Sequence, residues 1–72
     1  GVYPTGSLVR LNNGILAVII AQNISAPIKT LVKSIYSTKA RTYIESMLID
    51  LSKNSSEFKI QRYEKPHDHF ID

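Results

Sequence analysis

Tyr3-Pro4-Thr5-Gly6-Ser7-Leu8-Val9-Arg10-Leu11-Asn12-Asn13-Gly14, running on into Ile15-Leu16-Ala17-Val18-Ile19-Ile20-Ala21-Gln22-Asn23, reads as a strand, a turn and a second strand. Pro4 and Gly6 punctuate the start. Alternation then sets Leu8 and Arg10 on one face and Ser7, Val9 and Leu11 on the other. Asn12-Asn13-Gly14 is a hairpin turn signal, because Asn and Gly tolerate the positive φ that tight hairpins need. Residues 15–22 are rich in β-branched types and apolar on both faces, which suggests a central strand. The stretch offers no set of residues suited to chemistry, so its task is to pack or to bind.

Working outward, residues 23–27 form a loop that ends on Pro27, and residues 28–37 resume an apolar run. Ile28, Leu31, Val32 and Ile35 sit at helix spacing, so a helix stays open there. The β-branched content and Pro27 favour a strand, with Lys29 and Lys33 on the face opposite Tyr36. A polar connection at 37–41 leads to a strand at 42–44, a bend near 45–48, a short strand carrying Ile49 and Leu51, a polar loop at 53–57 and a strand at 58–62. Five or six short strands with turns every eight to twelve residues suggest a small barrel or sandwich.

The chain has 72 residues, enough for one small domain whose stability is marginal. There is no cysteine, which excludes a disulfide framework and a Cys-based zinc site and fits the cytoplasm, the expected location. The net charge of +3 comes from dispersed basic residues interleaved with acids, an ordinary solvated surface rather than a phosphate-binding block. The longest apolar run, residues 15–21, has seven residues against the roughly 20 of a membrane span, so no membrane is expected as a partner. The chain opens on glycine and reads as a piece of a longer chain, with Gly1 a cloning remnant.

Two segments together carry a resemblance. One is residues 3–14 with the apolar strand ending Gln22-Asn23; the other is Ile49-Asp50-Leu51-Ser52, followed by Phe58-Lys59-Ile60-Gln61-Arg62 and a tail with Pro66. Their order resembles the C-terminal segment of bacterial HD-GYP proteins, which hydrolyse cyclic di-GMP. The resemblance covers nearly the whole chain and implies an accessory β domain. The family's metal ligands and GYP loop belong to helices upstream of this segment, so the resemblance transfers no catalytic role to any residue here.

The remaining constellations have bland readings. Pro66-His67-Asp68-His69 contains both histidines of the chain, but an HD-type centre needs further His and Asp residues from separate helices. A solvated tail is the simpler account. Serine, histidine and aspartate are present, yet the histidines lie within six residues of the end, where order is least expected. Lys29, Lys33, Tyr36, Lys39, Arg41 and Tyr43 form the best case for single-strand binding, and the opposed faces of the lysines and Tyr36 argue against it. Gly14 is a turn glycine, and Asp50 a surface or turn-bonding carboxylate.

The expectation is thus an all-β domain, a five-stranded SH3-like barrel over residues 1–63 with a tail at 64–72. Its core draws on Leu8, Leu16, Val18, Ile20, Val32, Ile35, Ile44, Leu51, Phe58 and Ile60. The expected role is a non-catalytic accessory domain of a cyclic di-GMP phosphodiesterase, with no catalytic, cofactor or metal residues of its own. Its expected partner is the catalytic domain of the parent protein. A homodimer is the other use for a surplus apolar face, with the tail's Phe70 and Ile71 as competing cover. The alternative is a free-standing nucleic-acid-binding small barrel.

Overall fold

The structure, a computed structural model, describes residues 3–23, 29–53 and 57–64. Among them there is no helix, and six strands form one antiparallel sheet: β1 (Leu8–Leu11), β2 (Ile15–Asn23), β3 (Lys29–Ser37), β4 (Thr42–Tyr43), β5 (Leu48–Asp50) and β6 (Ile60–Glu64). The order across the sheet is β4-β3-β2-β1-β6, with β5 also on β3. β4 pairs with Tyr36 and Ser37, whereas β5 pairs with Leu31, Val32 and Lys33. The two short strands therefore share one edge of the long β3, and the sheet is five positions wide with six strands. It curls around a single core as a small barrel that is not closed, since no pairing joins β6 to β4 or β5. β6 ends on Glu64, the first residue of the expected tail; residues 65–72 lie outside the described residues.

The β1–β2 hairpin turns where the sequence says it should. The Gly14 N–H donates to the Leu11 carbonyl at 3.0 Å, and Asn13 Oδ1 accepts the Ile15 N–H at 3.1 Å. Gly14 sits at φ 85°, a conformation that costs an L side chain about 1–2 kcal/mol. A Cβ there would also stand 3.0 Å from the Thr38 hydroxyl, which donates to the Gly14 carbonyl at 2.6 Å. The helical alternative for residues 28–37 is not taken up: β3 is a strand from Lys29 to Ser37.

The core departs from the expected list in a way that bulges explain. Val9, Leu11, Ala17, Ile19 and Val32 form the buried cluster, with Tyr3, Ile15, Ile49, Leu51, Phe58 and Ile60 packed against it. Of the expected core, Leu8, Leu16 and Val32 are buried, Val18, Ile35, Ile44, Leu51, Phe58 and Ile60 are half-buried, and Ile20 is 39% exposed. Ile19 pairs with Val32 and Ala21 with Leu31, which leaves Ile20 as the extra residue of a β-bulge. Ile20 is therefore turned out of the core, and Ile19 fills the place expected of it.

A second bulge lies across from Leu16 and Ala17. These pair with Tyr36 and Ser34, so Ile35 is the extra residue on β3. A third makes Gln61 the extra residue on β6, because Arg10 pairs with Arg62 and Leu11 with Ile60. That shift lets Ile60 face the core beside Leu11 although Arg62 faces the opposite side.

Candidate functional site

Ser34 and Asn12 fix two walls of a concavity among the described residues. Ser34 lies on β3 and is buried, on the core face by its pairing with Ala17. Its N–H donates to the Met47 carbonyl at 3.0 Å. Its hydroxyl accepts the Met47 N–H at 2.9 Å and donates to the Glu45 carbonyl at 3.3 Å. Segment 44–47 is not regular strand, and the serine supplies bonds that a ladder would otherwise make. So strapped, Met47 and Leu48 stand 63% and 64% exposed.

Asn12 fixes the facing wall. Its backbone N–H donates to the Lys59 carbonyl at 3.0 Å, its Nδ2 to the Glu57 carbonyl at 3.1 Å, and its Oδ1 accepts the Lys59 N–H at 3.2 Å. These bonds bracket Phe58 and hold it against the core. Between the walls runs a groove of about 350 Å³ lined by Asn13, Ile15, Ser34, Ile44, Met47, Leu48, Ile49 and Phe58. Its lining carries no ionisable side chain, so it suits apolar contact rather than chemistry. Asn12 reads in sequence only as a turn residue and Ser34 only as a polar strand residue; neither role has a local signal.

Beside the groove, β5 runs into a turn capped by Asp50. Asp50 Oδ1 accepts the Ser52 N–H at 3.0 Å and the Ser52 hydroxyl at 2.6 Å, and the Lys53 N–H donates to the Asp50 carbonyl at 3.1 Å. The Ser52 hydroxyl is the main reason that the carboxyl titrates below its ordinary value of 3.8. The expected turn-bonding part for Asp50 is what the structure has.

The face opposite the core cluster buries Leu8 and Leu16 and also carries charge and aromatics. Register sets Leu8, Arg10, Leu16, Val18, Lys33 and Tyr36 on it together. The Ile35 bulge corrects the expected opposition of Lys33 and Tyr36: they share a face. Tyr36 meets Tyr43 edge to face at 5.2 Å, with Tyr43 66% exposed. Glu64 is buried on the same face, and its Oε2 accepts from Nε of both Arg10, at 3.1 Å, and Arg62. One carboxylate thus partly neutralises two guanidinium groups. The Lys29 side chain and His67, Asp68 and His69 lie outside the described residues; among the described residues no group of His, Asp and Glu is arranged to hold a metal ion.

Comparison with known proteins adds two findings. Residues 8–70 match a family described as the KOW domain associated with HD domain. A cyclic di-GMP phosphodiesterase of Pseudomonas aeruginosa is 31% identical over 64 residues, which are 89% of this chain and 16% of that protein. No solved structure matches the chain significantly.

Proposed function

The chain belongs to the family of KOW domains associated with HD domains, and on that footing we propose that it is the non-catalytic accessory domain of an HD-GYP-type cyclic di-GMP phosphodiesterase, acting in the cytoplasm. One observation carries the reading: the family match and the phosphodiesterase relative meet on the same stretch, which makes up only 16% of the relative. The geometry agrees. The described residues offer an apolar groove and a set of structural hydrogen bonds, which suit docking. In this reading the hydrolytic residues belong to the HD domain, and this domain supplies a docking surface.

The test is substitution of His67 and His69 by alanine in the complete polypeptide that carries the HD domain. Turnover of cyclic di-GMP should stay within about twofold, since a residue that takes no part in the transition state leaves the rate nearly unchanged. A hundredfold loss would place the tail in the catalytic centre and end the reading.

A second reading, binding of single-stranded nucleic acid, is favoured by the shared face of Lys33, Tyr36 and Tyr43. Against it stands Glu64, which draws on both arginines of that face. Few phosphate contacts are on offer to survive screening, so weak binding is expected; micromolar affinity for single-stranded RNA at about 0.15 M salt would favour this second reading instead.

A further inference from the structure

We propose that the open edge of β5, together with the groove beside it, receives an extended apolar segment of the same polypeptide from its HD-domain part. The inference rests on the accessory-domain reading and names the surface it uses.

Backbone geometry supplies the first argument. The Leu51 N–H donates to the Thr30 carbonyl at 2.9 Å, and the Ser34 N–H to the Met47 carbonyl at 3.0 Å. With Val32 opposite Ile49, the bonded pairs of this ladder are Thr30 with Leu51, Val32 with Ile49 and Ser34 with Met47. Leu48 and Asp50 sit at the alternate positions, so their backbone groups point away from β3. The Asp50 carbonyl is taken by Lys53, which leaves the Leu48 N–H and carbonyl and the Asp50 N–H facing outward, with no bond to any described residue. An exposed strand edge flanked by apolar side chains is a template for strand addition. Met47 and Leu48 are exposed at that edge, and Leu48 and Ile49 line the groove. An incoming strand would pair with Leu48 and lay an aliphatic or aromatic side chain into the groove at alternate positions.

Size decides who the occupant is. Eight residues line the groove, whereas a standard interface between separate chains engages about 20–30 residues a side. A second copy meeting this patch alone falls well short. A segment tethered to the domain needs far less area, because a short linker holds it at an effective concentration of about millimolar. The aligned region makes up 16% of the relative, so most of a protein of that kind lies outside this domain and is available to dock on it.

Amide hydrogen exchange tests the proposal. The amides of residues 48–50 are compared in the complete HD-containing polypeptide, in its Leu48→Asp variant and in the isolated 72-residue chain. The complete polypeptide should protect Leu48 at least tenfold more than the isolated chain, and Leu48→Asp should bring the neighbouring Ile49 and Asp50 amides to their isolated-chain rates. Equal Leu48 protection in the complete polypeptide and in a monomeric isolated chain would overturn it. So would an isolated chain that dimerises in sedimentation and gains the protection by itself, which would make the occupant a second copy. Hydrolysis of cyclic di-GMP by the complete polypeptide is recorded in parallel. Turnover without Leu48 protection defeats this proposal alone, whereas turnover by the isolated chain defeats the accessory-domain reading.

Discussion

Ser34 and Met47 are joined by two hydrogen bonds, backbone N–H to carbonyl at 3.0 Å and backbone N–H to side-chain hydroxyl at 2.9 Å. The second exists because a serine occupies a buried position on the core face of β3. It converts an irregular segment into a fixed wall of the groove.

Ser34→Ala should therefore cost about 0.5–1.5 kcal/mol, the net worth of a hydrogen bond whose partner can turn to water. Urea denaturation measures the loss, and hydrogen exchange should show the Met47 amide exchanging faster than the Val32 amide. A variant as stable as the parent, with Met47 still protected, would show that the hydroxyl does not hold the strap.

Ile19 and Ile20 are adjacent and chemically identical, and the fold treats them differently. Ile19 is fully buried in the core cluster and Ile20 is 39% exposed at a bulge. Ile19→Ala should cost about 2–5 kcal/mol, and Ile20→Ala less than about 1 kcal/mol. Equal losses would mean that the bulge is misplaced.

Asp50 gives a pH signature. Its carboxyl titrates below 3.8, so the ionised form favours the folded state. That contribution is complete above 3.8 and is lost as pH falls through the lower folded value. Asp50→Asn keeps an oxygen to accept from Ser52 but does not titrate. The gap in urea midpoint between parent and variant should stay constant from about pH 7 to 5 and narrow below about pH 4. A gap unchanged down to about pH 2 would remove Ser52 as the cause.

Much of the fold was legible because alternation and turn chemistry are local. Gly14 marks the hairpin, and Val9 and Leu11 share a face as the alternation says. The register beyond that was not legible. Three bulges, at Ile20, Ile35 and Gln61, each shift the side-chain period by one, and nothing in the residues themselves announces them. This is why Ile20 reads as core and Lys33 as opposed to Tyr36. The groove was hidden for another reason: Asn12 reaches 45 positions along the chain to Glu57, and Ser34 reaches 11 to Glu45. A local pattern carries no trace of such partners. Asp50, bonded to a residue two positions away, was read correctly.

The central claim is that this domain accompanies a phosphodiesterase and performs none of its chemistry. The most direct measurement is cyclic di-GMP turnover with manganese or iron by the purified 72-residue chain, beside the complete HD-containing polypeptide at equal concentration. The complete polypeptide should hydrolyse the nucleotide, and the chain alone should leave it intact. Turnover that follows the chain through purification and disappears on changing His67 and His69 would contradict it.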